Sequence, residues 1–183
     1  MRKVEVTTSF EEARNMGIEA PGSESPNYPL AIAAFKKAYE LDPRRKLRPG
    51  ETPPSGLFEI PTRLARVYRK SGQHYQAQRM YEWILERHDS RAAKVGLAAV
   101  HEDKGRHSVA LRLYEEVLSR NSADPYALRG VARTLSSLDR TEEAVETYGK
   151  ALEAAENSHD AADAAAGLKK TREKLKWKSE TKS

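Results

Sequence analysis

The sequence contains no cysteine, and this absence excludes several classes of protein. Disulfide-stabilised scaffolds, zinc ribbons and cysteine hydrolases all require thiols. No uninterrupted apolar run approaches the ~20 residues that a membrane-spanning helix needs. The first ten residues, MRKVEVTTSF, also lack the apolar segment of a secretory signal. We therefore expect a soluble, cytoplasmic protein without a membrane span.

Aromatic residues are scarce as well, at 7%, whereas charged residues reach 32% of the 183 residues. The net charge is +5. Residues 169–183 hold seven Lys or Arg and two Glu, so this terminal segment alone accounts for the excess of positive charge. An apolar content of 38% with abundant charge favours an elongated shape over a compact globule.

A repeat of 33 or 34 residues runs through the middle of the chain. Ala77, Ala110 and Ala144 are spaced by this period, and each is followed four residues later by a tyrosine. These tyrosines are Tyr81, Tyr114 and Tyr148. Each window shows the three-to-four-residue spacing of amphipathic helices and predicts two helices of about 13 residues joined by a tight turn. We expect the alanines where helices cross closely and the tyrosines between adjacent hairpins.

Gly72 and Gly105 stand where the two helices of a window meet, and Asp139 takes the same place in the third window. A left-handed residue commonly ends a helix at such a turn, and glycine adopts that conformation without a steric penalty. The sequence therefore predicts left-handed conformations at these three positions.

This small-residue and aromatic pattern resembles that of the tetratricopeptide repeat family over residues 58–156, which hold three consecutive units. The resemblance implies an all-α, right-handed solenoid of helix-turn-helix repeats with a C-terminal capping helix. Ala31, Phe35, Ala38 and Pro43 resemble the second helix of an earlier unit, and residues 1–43 form an atypical first repeat with an insertion. Within it, Ser9 and Glu12 predict a capped helix from about Phe10 to Met16.

Residues 44–57 are rich in proline, glycine and basic residues, which predicts a loop. The array should end in a helix over residues 157–178 that covers the last repeat, because an uncovered terminal repeat exposes apolar surface. We expect this helix to face inward through Ala161, Ala165, Leu168 and Leu175. Residues 179–183 should form a disordered tail.

The sequence contains two patterns that could suggest catalysis, but their spacing argues against it. His101 and His107 superficially resemble a zinc-binding helix, but six residues separate them and Gly105 ends the helix between them. Acidic pairs such as Glu142 and Glu143 are adjacent in sequence and diverge on a helix. We therefore expect a non-enzymatic protein with no catalytic residue, no metal and no cofactor.

In this family the first helix of each hairpin lines a concave groove, so the resemblance implies a scaffold or adaptor that binds a protein segment there. Arginines in this groove favour an acidic peptide, since a guanidinium can bind a carboxylate through two parallel hydrogen bonds. The alternative is that these arginines cover solvent faces or pair with neighbouring acids. The candidate groove residues are Arg63, Arg66, Arg69, Lys70, Val95, Ala99, Tyr126, Arg129 and Arg133. Between Arg66 and Arg133, the small residues Val95, Gly96 and Ala99 should leave space for a ligand.

Basic clusters suggest a second function, the binding of a polyanion such as nucleic acid or an anionic surface. The candidate contacts are Arg44, Arg45, Lys46 and Arg48 in the loop and Lys169, Lys170, Lys174 and Trp177 in the terminal helix. The plain alternative is that a charged final helix only keeps the protein in solution. Self-association into a homo-oligomer is a third function that the sequence leaves open.

Overall fold

Eight α-helices follow one another through residues 28–41, 57–155 and 157–181, which are the residues that this computed structural model describes. No strand occurs within these ranges. The helices are α1 (Tyr28–Leu41), α2 (Glu59–Lys70), α3 (His74–Leu85), α4 (Arg91–Asp103), α5 (His107–Leu118), α6 (Pro125–Ser137), α7 (Thr141–Glu153) and α8 (Ser158–Thr181). The predicted helix near Phe10–Met16 and nearly all of the predicted loop 44–57 lie outside the described residues.

Short turns join α2 to α3, α4 to α5 and α6 to α7. Gly72, Gly105 and Asp139 have φ angles of 78°, 71° and 66°, which confirms the predicted left-handed conformations. The amide that follows each of these residues donates to a carbonyl five residues earlier. These hydrogen bonds join Gln73 N to Tyr68 O at 2.8 Å, Arg106 N to His101 O at 2.8 Å and Arg140 N to Leu135 O at 3.0 Å. This pattern closes the first helix of each hairpin and satisfies its last carbonyls.

Side chains cap the N-termini of α6 and α8. Asp124 precedes Pro125 at the beginning of α6, and its carboxylate accepts from the Ala127 amide at 2.9 Å. Asn157 does the same for α8, where its side-chain oxygen accepts from the Asp160 amide at 2.9 Å. Both caps satisfy an amide that the first turn of a helix leaves unpaired.

Each repeat tyrosine packs against a glycine in the first helix of the next hairpin or in α8. A Cβ built on any of these glycines would come within 2.3 Å of the tyrosine ring. The pairs are Tyr81 with Gly96, Tyr114 with Gly130 and Tyr148 with Gly167. The tyrosines are 1–6% exposed. The prediction that they fill the space between successive hairpins is confirmed.

The chain divides after Gly96 into two compact units. In the first, α1 packs on α2 and α2 packs on α3. The buried face of α1 consists of Ala31, Phe35 and Ala38, the residues that the sequence pattern assigned to the second helix of an early repeat. In the second unit, α5 packs on α6, α6 on α7, and α7 on α8.

The terminal helix α8 matches its predicted inward face in part, because Ala161, Leu168 and Leu175 are half-buried. Asp160, Ala164 and Thr171 are its buried residues, whereas Ala165 is exposed, so its predicted inward position is wrong. Gly167 of this helix lies against the ring of Tyr148. It also extends to Thr181, so residues 179–181 of the expected disordered tail are helical. The Thr181 hydroxyl donates to the Trp177 carbonyl at 3.0 Å in this last turn.

Candidate functional site

In the first unit, the basic candidates lie together on α2. Arg66 and Lys70 are exposed, and Arg63 and Arg69 are half-buried. Arg63 pairs with Glu59 one turn earlier on the same helix, at 3.2 Å. The sequence thus places four cations within the last eight residues of α2, whose one acidic residue is Glu59.

Two arginines of α2 act electrostatically on the buried side chain of Tyr81. Burial raises the pKa of Tyr81 to about 12, and the charges of Arg69 and Arg66 oppose that rise only in part. The phenol therefore stays neutral at physiological pH. It acts as a packing residue against Gly96.

The small residues of α4 leave less room than the sequence suggested. Val95 is half-buried, and Ala99 is only 7% exposed. The space beside Gly96, which the sequence offered as room for a ligand, is filled by the ring of Tyr81. That part of the groove prediction is wrong, because the glycine accommodates the core and not a ligand.

In the second unit, Arg133 of α6 holds the carboxylate of Glu102 of α4. Its Nε and Nη2 donate to the two carboxylate oxygens at 2.5 and 2.6 Å. The hydroxyl of Tyr114 donates to Glu102 Oε2 at 3.3 Å. The Glu102 side chain is 7% exposed and that of Arg133 is 45% exposed. The hydrogen bond to Glu102 raises the pKa of Arg133 above its ordinary value.

Arg129 lies one turn earlier on α6 and contacts α8 instead of α4. Its Nη1 lies 2.8 Å from Asp163 Oδ2 and 3.8 Å from Asp160 Oδ1, both on α8. The guanidinium also lies over the ring of Tyr126, 5.5 Å from its centroid. The first helices of the second unit are therefore joined in series by arginine–carboxylate pairs, from α4 through α6 to α8.

These pairs match the alternative in which groove arginines pair with acids of the same chain. Sequence reasoning named Arg129 and Arg133 but missed Glu102, Asp160 and Asp163 as their partners. The signal was present as spacings of 31 to 34 residues, close to one repeat. Residues one repeat apart occupy neighbouring first helices, so opposite charges at that spacing can meet.

The basic residues of α8 fall into two groups. Lys174 Nζ lies 2.9 Å from Asp139 Oδ1 and donates to the Ser136 carbonyl at 2.8 Å. Lys178 contacts the other carboxylate oxygen of Asp139. Hydrogen bonds from Lys178 and Lys174 lower the pKa of Asp139 to about 2. These two lysines fasten the end of α8 to the turn between α6 and α7.

The other polyanion candidates of α8 point to solvent. Lys169 and Lys170 are exposed, and Trp177 is 64% exposed. The loop candidates Arg44, Arg45, Lys46 and Arg48 lie outside the described residues. Among the candidates that the structure does describe, therefore, Lys174 serves the fold while Lys169, Lys170 and Trp177 remain accessible.

The described parts of the chain contain neither a cluster of metal ligands nor a membrane-spanning helix. No group of three or more His, Asp or Glu side chains is placed there to hold a metal ion. No helix in those parts combines the length and apolarity needed to cross a bilayer. His101 is buried on α4 and His107 begins α5.

Solved structures with similar folds are tetratricopeptide repeat proteins and others of related architecture. A tetratricopeptide repeat protein from Parabacteroides merdae ATCC 43184 aligns with a TM-score of 0.59 and 20% identity over 93% of this chain. This chain covers 61% of that protein. PcrH from Pseudomonas aeruginosa has a TM-score of 0.59 and 18% identity, with 69% of this chain and 99% of PcrH aligned. MamA from Desulfovibrio magneticus RS-1 has a TM-score of 0.59 and 15% identity, with 92% and 94% aligned.

At these identities the structural matches establish the fold alone, an all-α helical-repeat solenoid. No curated protein matches the chain in sequence. Two models of the tetratricopeptide repeat do match it, over residues 62–125 and 102–168, which together span more than half of the chain. The chain therefore belongs to the tetratricopeptide repeat family, whose fold supports a protein-interaction scaffold in general.

Proposed function

We propose that the protein is a scaffold that binds an acidic protein segment, with the first helix α2 as the contact. One observation carries this proposal. Arg63, Arg66, Arg69 and Lys70 crowd the last two turns of α2, where cations outnumber acids. A guanidinium can bind a carboxylate through two hydrogen bonds, and arginine is suited to such recognition at a surface.

Two groove candidates of the second unit already pair with acids of the same chain. Arg129 and Arg133 hold Asp163 and Glu102 at hydrogen-bond distance. A ligand carboxylate there would have to share or displace an existing partner. The excess of cations over acids on α2, four against one, is the feature that favours an acidic ligand there.

Peptide binding tests this proposal directly. Fluorescence anisotropy with peptides rich in Asp and Glu should show binding, and the same peptides with Asn and Gln should not bind. The variant Arg66→Ala with Lys70→Ala should weaken binding by about tenfold or more, a step that corresponds to about 1.4 kcal/mol. Both side chains are exposed, so the fold should be retained.

A matched control removes two cations from second helices instead. Lys37 of α1 and Arg79 of α3 are exposed, and their double alanine variant carries the same net charge as the test variant. Its affinity should equal that of the wild type. Equal loss in both variants would mean that only net charge matters, and no loss in the α2 variant would overturn the proposal.

Polyanion binding through α8 is a second candidate function, supported by the exposure of Lys169 and Lys170 and of Trp177. Contacts to phosphates weaken steeply as salt rises, because binding releases condensed counterions. Titration with single-stranded DNA at increasing salt should show this slope and a loss of affinity in Lys169→Glu with Lys170→Glu. If the affinity for DNA changes neither with the salt concentration nor in this double variant, α8 is not the polyanion contact.

A further inference from the structure

The helix α8 occupies the position of a first helix in a further repeat. Gly130 of α6 meets Tyr114, and Gly167 of α8 meets Tyr148, at the same close distance. Four residues after each glycine stands a buried threonine whose hydroxyl donates back to the glycine carbonyl. These bonds are Thr134 to Gly130 at 2.9 Å and Thr171 to Gly167 at 2.8 Å. Two independent contacts thus place α6 and α8 in one register.

With α6 and α8 aligned in this way, we can identify the residues of α8 that correspond to the α6 residues packed against α7. Ala132 and Leu135 of α6 are 0% and 5% exposed in a hairpin that α7 completes. The corresponding residues of α8 are Lys169 and Arg172, and both are exposed. Lys176 follows one turn later and is exposed as well. The face of α8 that would meet a second helix is therefore basic.

The neighbouring helix α7 forms the other edge of this position. Leu118 near the end of α5 is partly buried against a cluster of Leu128, Ala151 and Ala164. Leu152 holds the corresponding place near the end of α7 and is 38% exposed. An apolar side chain is thus exposed at the end of α7, at a place where the preceding repeat has a covered leucine.

The cations of this face form a regular stripe. Lys169, Arg172 and Lys176 follow the i, i+3, i+7 spacing that puts side chains on one side of a helix, over about 10 Å of its length. Glu173 and Glu180 flank the stripe, and Lys176 lies 3.8 Å from Glu180. Lys174 and Lys178 do not contribute, because they bind Asp139 on another side of the helix.

We propose that this surface, bounded by Leu152 and by the stripe of Lys169, Arg172 and Lys176, binds an acidic amphipathic helix of another protein. The bound helix completes a hairpin with α8, with carboxylates facing the stripe and an apolar side chain facing Leu152. Exposed alanines at positions 162 and 165 allow its backbone to approach α8 closely. A nucleic acid would gain from the cations but not from Leu152. The proposal does not depend on the ligand of the first helices.

A synthetic peptide of about 15 residues, near the length at which isolated helices begin to form in water, is the probe. It carries glutamates at i, i+3 and i+7 beside a leucine stripe, and its control has glutamine at the same places. Anisotropy should detect the glutamate peptide binding to the full chain. The variant Lys169→Glu, Arg172→Glu, Lys176→Glu should weaken binding by about tenfold or more. Leu152→Ser should also weaken it.

The matched control is Lys37→Glu, Arg79→Glu, Arg112→Glu, which reverses three exposed cations of second helices. It changes the net charge equally and should leave peptide affinity unchanged. Circular dichroism of each variant should match that of the wild type, because all substituted side chains in these two sets are exposed.

Several results would overturn the proposal. One is the absence of peptide binding by the wild-type chain, and another is equal binding of the glutamine peptide. If Leu152→Ser has no effect while single-stranded DNA competes with the peptide, the stripe is a polyanion surface. If sedimentation shows a dimer that the stripe variant dissociates, the occupant is a second copy of this chain.

Discussion

Arg133 holds both carboxylate oxygens of Glu102, a residue that precedes it by almost one repeat. The glutamate is nearly buried, and the arginine that neutralises it is half exposed. This pair links α4 to α6, while Arg129 links α6 to α8. Alternating charges thus hold successive first helices of the second unit in register.

The substitution Arg133→Ala should lower the free energy of unfolding by about 1 to 2 kcal/mol, because it leaves the carboxylate of Glu102 buried with only the Tyr114 hydroxyl as partner. Adding Glu102→Gln should recover part of this loss, since the amide carries no charge. Urea unfolding of the single and double variants measures both effects. A double variant that loses the sum of the two single effects would show that the pair is not coupled.

Gly130→Ala should destabilise the protein by about 1 to 3 kcal/mol, because the new Cβ would lie 2.3 Å from the Tyr114 ring. Gly149 of α7 provides the control, since an added Cβ there meets nothing within 4 Å. Gly149→Ala should be neutral or stabilising by up to about 1 kcal/mol, as alanine favours helices. Thermal unfolding of both variants would reveal the contrast. Equal effects would mean that the tyrosine ring moves aside without cost.

The attachment of the end of α8 should depend on pH through Asp139. Lys178 and Lys174 lower the pKa of Asp139 to about 2 from an ordinary value of 3.8. Because the folded-state pKa lies below the unfolded one, this contact stabilises the fold above pH 3.8 and is lost as the pH falls towards 2. Carbon chemical shifts of the Asp139 carboxyl and of the last turns of α8 should change together over this range.

Asp139→Asn is the control for that titration. Asparagine tolerates the left-handed conformation that this turn requires, but it cannot ionise. The last turns of α8 should then be less ordered at neutral pH, and their shifts should not follow the Asp139 titration. Unchanged hydrogen exchange in residues 174–181 of this variant would show that the two lysines do not fasten the helix.

The hydroxyl of Tyr81 should ionise at a higher pH than an ordinary tyrosine. Burial raises its pKa to about 12 in the folded protein from an ordinary value of 10.0. Because the neutral phenol is favoured by folding, stability should be lost as the pH rises from 10.0 towards 12. Ultraviolet absorbance of tyrosinate measures the titration, and Tyr81→Phe should remove its last phase. Ionisation of Tyr81 at the ordinary value would contradict the packing against Gly96.

Periodicity was sufficient to predict the repeats, the turns and the repeat tyrosines. Ala77, Ala110 and Ala144 are fully buried, and Asp139 adopts the left-handed conformation that glycine has at the other turns. These features depend on interactions within one hairpin or between adjacent ones. They recur at each period, so alanine and tyrosine mark them three times and glycine marks two of the three turns.

The charge pairs and the exposure of Ala165 were harder to predict, because neither recurs in every repeat. An arginine on a helix face can be exposed to solvent, bind a ligand or pair with an acid of a neighbouring repeat. The sequence does not distinguish these cases, because the distances between side chains depend on how the helices pack. For α8, counting apolar residues favoured Ala165, whereas the glycine and threonine at 167 and 171 were the informative residues. A repeated Gly-x-x-x-Thr at 130–134 and 167–171 would have given the correct face.

The tyrosine–glycine contacts also define which pieces of this chain can be exchanged as building blocks. A hairpin transplanted alone would bring its tyrosine to a foreign first helix and its glycine to a foreign second helix. The exchangeable block is instead a second helix with the first helix that follows it, such as α3 with α4 or α5 with α6. Shuffled or extended arrays cut in the short turns within hairpins would therefore keep every ring with its own glycine.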